Sequence, residues 1–244
     1  MSRQVSDYGP GIVRLYYPGM PTSWSRIESL TGNRPGIISF KMAPSQVNSG
    51  AYDAGLRAWF AAAPNRLMYW SYHPEPEDDI ANGNFTAAQF RSAYARIAGL
   101  ANAVDNAQLK STWMLMCWTA RPGSGRDWHD YWPGTQYVDV VGFDCANKLA
   151  DRDKYADPAS MLRDPLAVAD AVNKPWGLGE FESRRIAGDS GSGRAAWLLA
   201  MARFAQANSA SFASYFDANR AVDFTLSDAA SRNAWHSVVS DQLP

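Results

Sequence analysis

The chain has 244 residues, 46% hydrophobic and 19% charged, the proportions of one globular domain with length enough for a large core. Lys and Arg number 23 against 24 Asp and Glu, a formal charge of −1, so no basic surplus argues for nucleic acid or an anionic membrane surface as partner. The longest apolar runs are strand-length rather than bilayer-length, and two cysteines are too few for a disulfide framework.

In chain order, MSRQVSDYGPG lacks the apolar core of a secretion signal and is too polar to supply an obvious strand. Localisation stays open, extracellular if a leader has been removed. IVRLYY at 12–17 reads as a first strand, followed by a short helix from about Thr22 with Trp24, Ile27 and Leu30 on one face. GIISFK at 36–41 is a second strand, and a helix over roughly 49–63 is closed by Pro64. RLMYWSYHPEPEDD at 66–79 begins as a strand buried on both faces and ends in titratable groups held between prolines, where the ladder must stop and the backbone stiffens. Thr86 and Gln89 form a capping box for a helix that turns Phe90, Tyr94, Ile97 and Ala101 to the sheet. STWMLMCWT at 111–119 is the fourth strand, and the loop after it (ARPGSGRDWHDYWPGTQ) exceeds the usual connection length. YVDVVGFD at 137–144 is the fifth. A helical pattern at 157–172 is interrupted near Pro165. KPWGLGEFES at 174–183 places Glu180 at the end of the sixth strand. A Gly/Ser-rich loop leads to a helix over about 194–208, then a seventh strand, ASFASYFD at 210–217, and a last helix over about 227–240.

Strands alternating with helices indicate a parallel sheet, and the length fits a single α/β barrel of the TIM type over residues 1–244. Seven strands are readable, one short of eight. Arg14, Lys41, His73, Glu75, Trp118, Asp144, Glu180 and Asp217 each close a strand, the end at which such barrels carry their sites. Two carboxylates on two strand ends, Glu75 and Glu180, suit glycosidic bond hydrolysis. Competing structural readings are a solvated acidic turn for Glu75, with Glu77 as rival acid, and a pairing of Glu180 with Arg184 or Arg185. Asp78 and Asp79 read as loop surface. The ten Trp divide between core and sugar-stacking surface, and the Trp128–Trp132 loop reads either as a sugar platform or as a packed lid. His73, His129 and His236 lack metal-ligand spacing, and neither a nucleophile elbow nor a phosphate loop is present, so no metal or cofactor is called for. Cys117 and Cys145 end consecutive strands; one bridge and two free buried thiols both remain open.

These segments resemble a retaining glycoside hydrolase of clan A, and among its families most resemble family 26 and the family-26-like domains, many of which act on β-mannans. VRLYYPG at 13–19, ISFK at 38–41, YHPEPEDD at 72–79, MLMCWT at 114–119, YVDVVGFD at 137–144, GLGEFE at 177–182 and YFD at 215–217 carry the resemblance in order. It implies that the unread strand is the family's first, so that the third strand here is barrel strand four. It further implies Glu75 as acid/base, Glu180 as nucleophile, His73 as the histidine of an HHEPE-like motif, Trp118 in the sugar-binding floor and Asp144 at a DxYN-like strand end. The expected partner is a polysaccharide or oligosaccharide. Pro74 departs from the family's His before the acid, and Cys145-Ala146-Asn147 departs from its Tyr-Asn pattern. Those departures motivate a rival reading, a catalytically weak or inactive carbohydrate-binding barrel within a phage or cell-wall-directed assembly. A peptidoglycan amidase on the same fold ranks below both, lacking a metal or nucleophile motif.

Overall fold

The computed structural model describes residues 11–240; the expectations about the first ten residues lie outside that range. Among the described residues seven strands run β1 Val13–Tyr17, β2 Gly36–Phe40, β3 Met68–Tyr72, β4 Leu109–Met116, β5 Val140–Ala146, β6 Trp176–Glu182 and β7 Ala213–Tyr215. They form one sheet in sequence order, every pair parallel, rolled into a nearly closed TIM-type barrel. The seam lies between β1 and β7. β1 is only partly buried along its length, whereas all five residues of β2 and of β3 are buried, as expected of an edge strand beside central ones.

The helices are α1 Trp24–Thr31, α2 Pro44–Asn48, α3 Asp53–Ala61, α4 Glu77–Ala81, α5 Ala87–Asn102, α6 Pro158–Ala171, α7 Ser192–Ala207 and α8 Ala229–Val239. The helix expected at 49–63 is the shorter α3, and a further helix, α2, precedes it; Gly50 takes φ 85 just past the end of α2, with an Arg96 guanidinium nitrogen 2.6 Å from where a Cβ would sit. The interruption expected at Pro165 does not occur. α6 runs through it, with Pro165 buried beside Met161, Leu162, Val168 and Ala169, whose packing offsets the lost backbone bond. The capping box of α5 is as read: Gln89 N–H donates to Thr86 Oγ1 at 3.1 Å and Thr86 N–H to Gln89 Oε1 at 2.8 Å. Among the described residues no helix is long and apolar enough to cross a membrane.

Strand alternation sorts side chains into two layers. Leu15, Phe40, Trp70, Trp113, Phe143, Leu178 and Phe181 face the helices in the main core. Ile37, Tyr69, Met114, Val140 and Phe212, with Ile12 and Leu67, plug the barrel interior below the site. Seven of the ten tryptophans (24, 59, 70, 113, 176, 197 and 235) are buried, so the high Trp content is chiefly core. Cys117 and Cys145 are bonded, their Cα atoms 5.0 Å apart across the ends of β4 and β5.

Candidate active site

Above the interior plug the lining turns polar. On β1 the inward residues are Arg14 and Tyr16, two apart as alternation requires. Arg14 is buried and reaches across the lumen. Its Nη1 lies 2.7 Å from Asp144 Oδ1 on β5 and 3.1 Å from Glu180 Oε1 on β6, while Nε donates to Ser39 Oγ at 3.0 Å on β2. Burial works against the guanidinium charge, but Asp144 and Glu180 outweigh it and hold the group protonated beyond its usual range. The Glu180 partner is therefore Arg14, not Arg184 or Arg185. Arg184 turns to Asp151 and to the Ala150 carbonyl instead.

Glu180 faces inward because of a break in β6. Gly177 and Gly179 point into the lumen, against Phe212 and against Asp144, Met114 and Arg14 respectively. A bulge then shifts register between Leu178 and Phe181 on the β7 side, and Asp144 pairs with Glu180 rather than with Gly179 on the β5 side. Past it, Phe181 joins the outer core while Glu180 and Glu182 line the mouth. The bare Cα of Gly179 is what admits the ion pair: a Cβ there would lie 2.5 Å from Asp144 Oδ1 and 3.0 Å from Arg14 Nη1.

Glu75 arrives by a strained path. His73 and Glu75 both hold positive φ, 45 and 53, a region costing about 1–3 kcal/mol for each such residue and enriched at functional sites. The backbone is fixed regardless: His73 N–H donates to the Phe40 carbonyl at 2.8 Å and Glu75 N–H to the Met114 carbonyl at 3.2 Å. The Glu75 carboxyl has no hydrogen-bond or ion-pair partner among the described residues. Burial raises its pKa, Asp144 and Glu180 raise it further, and Arg14 opposes. Burial also raises Glu180, where Arg14 is the strongest opposing influence. The ion-paired Glu180 is thus the more acidic member and the unpaired Glu75 the member that keeps its proton, a split suited to paired-carboxylate chemistry.

The other strand-end residues fall into three groups. Asp144 belongs to the central cluster. His73 and Lys41 gather instead on Asp79, whose Oδ2 is 2.9 Å from His73 Nε2 and 3.5 Å from Lys41 Nζ, so Asp79 is an interaction hub rather than loop surface. Asp217 Oδ1 accepts from Leu226 N–H at 2.9 Å, pinning the loop after β7. Trp118 is 49% exposed, with the Arg121 guanidinium 5.8 Å from its ring centroid. Trp128 and Trp132 are not brought to the cluster. They pack on Trp113 at 6.4 and 4.9 Å, on the outer wall of β4, and Arg91 of α5 donates to the Asp130 carbonyl of the same loop. The loop is packed against the helix-facing side of β4 rather than over the mouth, because Trp113 faces the helices. Glu77 is fully buried, its Oε1 accepting from Met116 N–H at 2.9 Å, so it anchors β4 and does not reach the mouth.

Two residues went unread in the sequence. Tyr16 is 47% exposed beside Arg14, its ring centroid 5.9 Å from the guanidinium, and it stands within the field of Glu75, Asp144 and Glu180. Alternation from Arg14 was the signal that would have found it. Glu182 lines the same rim, and only the bulge reveals it. The exposed large apolar side chains among the described residues, Tyr16, Trp118, Leu149 and Val222, all lie at strand carboxyl ends or in the loops just after them, around this mouth. No three His, Cys, Asp or Glu side chains among the described residues gather as a metal site.

Fold and site together give a (β/α) barrel with a carboxylate-lined mouth, and solved structures of glycoside hydrolases share that fold. An exo-β-1,4-mannosidase from Opitutaceae bacterium strain TAV5 superposes with a TM-score of 0.70 at 14% identity, over 98% of this chain and 54% of its own. A modular endo-β-1,4-mannanase of glycoside hydrolase family 26 from Cellulomonas fimi matches with a TM-score of 0.56 at 14% identity, over 89% and 56%. The hyperthermostable endo-1,4-β-D-mannanase from Thermotoga petrophila RKU-1 matches with a TM-score of 0.62 at 10% identity, over 97% and 93%. The fold is thus family-26-like. The chain spans 56% to 66% of the length of the first solved structures it matches. No protein-family model and no curated protein matches the sequence.

Proposed function

We propose that the protein is a retaining, endo-acting glycoside hydrolase on a β-linked polysaccharide, a β-mannan or related β-glucan. The observation that carries this reading is the asymmetry of its two carboxyls on one rim: Glu75 without a partner, Glu180 paired to Arg14 at 3.1 Å. Glu75 gives its proton to the glycosidic oxygen as the bond to the anomeric carbon breaks, and Glu180 attacks that carbon to form a glycosyl-enzyme ester. Glu75, now ionised, takes a proton from water, whose oxygen displaces Glu180 with net retention. Retention calls for carboxyls roughly 5 to 5.5 Å apart. Arg14, itself held by Asp144, orients Glu180 and favours its anion against burial and the Asp144 charge, while Tyr16 and Trp118 offer aromatic faces to sugar rings at the mouth.

The test is reducing-end release from mannan, glucomannan and mixed-linkage glucan, with the anomer of the first product read by NMR. Glu75→Gln and Glu180→Gln are each expected to lower turnover by at least about 10³-fold. Full activity in either variant refutes the assignment. Binding of a mannan hexasaccharide by calorimetry with no product favours the carbohydrate-binding alternative, and an inverted product refutes the double displacement.

A further inference from the structure

Glu182 stands two residues beyond Glu180 on β6, on the same inward face, and no role in the chemistry above falls to it. Its register partner on β5 is Ala146, a small side chain. Neither carboxyl oxygen has a hydrogen-bond partner among the described residues, and Oε2 is sealed from solvent. An unpartnered buried polar atom is costly to keep unless something arrives to meet the group. Asp144, 7% exposed, has an Oδ2 equally sealed and unpartnered, and its charge acts on Glu182.

We propose that Glu182 is a substrate-binding residue, holding the hydroxyls of a neutral pyranose about one sugar unit from the cleaved bond. This rests on the hydrolase reading and deepens it. Two strand residues advance the site by about 6.5 Å toward the mouth, the span of one ring. Burial, with Glu180 and Asp144 nearby, pushes the Glu182 carboxyl up to about 8, Lys148 opposing. It is therefore a neutral acid at pH 7, able both to donate to one sugar hydroxyl and to accept from another. The exposed Leu149 follows Lys148 on the loop after β5 and would give the ring an apolar wall. A uronate would bring a further anion beside Asp144 and Glu180, whose ion-pair partner among the described residues, Arg14, is already shared by both. The subsite thus takes a neutral ring and rejects an acidic one.

The experiment is calorimetry and steady-state kinetics on the full chain with β-1,4-mannohexaose, cellohexaose and the hexamer of β-1,4-mannuronate, the acidic counterpart of mannan. Binding is measured in a Glu75→Gln background. Glu182→Ala is expected to weaken the neutral hexamer at least tenfold and to raise KM with kcat little changed. Glu182→Gln, neutral and able to donate and accept, stays within threefold. The mannuronate hexamer binds at least tenfold more weakly than mannohexaose. Unchanged affinity in Glu182→Ala, an equal loss in the Gln and Ala variants, or equal affinity for the acidic hexamer overturns the proposal. Should Glu182→Ala fail to fold by its melting curve, Glu182→Asp, shorter by one methylene, is expected to show the same tenfold loss, and unchanged binding there overturns it. If the unaltered protein cleaves a glycan and only these arms fail, the hydrolase reading survives alone. If it neither binds nor cleaves any glycan, both fall.

Discussion

Replacing Gly179 with alanine adds one methyl where β1, β4, β5 and β6 converge. The new Cβ would lie 2.5 Å from Asp144 Oδ1, 2.9 Å from Met114 Sδ and 3.0 Å from Arg14 Nη1, against an ordinary contact of 3.4 Å or more. Asp144 must therefore retreat about 0.9 Å and take with it the guanidinium that also holds Glu180. Gly179 is not in the left-handed region, so the effect is steric rather than one of backbone strain. Overpacking of this kind costs about 1–3 kcal/mol. At roughly 2–4 °C per kcal/mol for a domain of this size, the melting temperature falls by about 2–12 °C. A shift of nearly 1 Å in the reacting groups lowers turnover by about 10²-fold. Gly99→Ala in α5 is the control. It has nothing within 4 Å of the added methyl and is expected to gain about 0.5–1 kcal/mol with unchanged activity. Calorimetric melting and glycan hydrolysis are measured on both. A Gly179→Ala protein that melts within about 1 °C of the parent, below the overpacking range, and turns over as fast refutes the account of the ion pair.

Three further outcomes separate the roles assigned to other residues. Trp132→Ala, which removes a ring 4.9 Å from Trp113, should cost on the order of 3 kcal/mol and leave glycan affinity alone. Trp118→Ala, at the exposed rim, should change stability by less than about 0.5 kcal/mol while weakening hexasaccharide binding; denaturant titration beside calorimetry decides, and the reverse pattern would exchange their roles. Burial holds the Glu77 carboxyl up at about 7 against 4.5 unfolded, so the folded chain keeps a proton that the unfolded chain releases. Stability is then lost as pH rises from about 4.5 to about 7, by at most about 3 kcal/mol. Glu77→Gln keeps an acceptor for Met116 N–H and should flatten that slope in urea midpoints taken at several pH values; parallel slopes would count against it. Reducing the Cys117–Cys145 bond, which closes a separation of 28 residues, should cost about 3.5 kcal/mol on the chain-entropy scale, read as a drop in melting temperature on adding a thiol.

The sequence by itself determined the order and direction of the seven strands and the height at which Arg14, Glu75, Asp144 and Glu180 sit. Hydrophobic period separates strand from helix locally, and in a parallel barrel every strand's carboxyl end faces the same mouth. It also carried the α5 capping box, a contact among residues three apart. It did not decide which way side chains point near the rim of β6. Gly177, Gly179, Glu180 and Glu182 share a face only because a bulge, set by the register against β5 and β7, breaks the alternation. The same dependence on distant partners hid the Arg14–Glu180 pairing, the docking of Trp128 and Trp132 on Trp113, the gathering of His73 and Lys41 on Asp79, and the choice of a bond over two thiols. Each of these is settled between residues far apart in the chain, where local pattern carries no information and only the closing of the barrel brings the groups within reach.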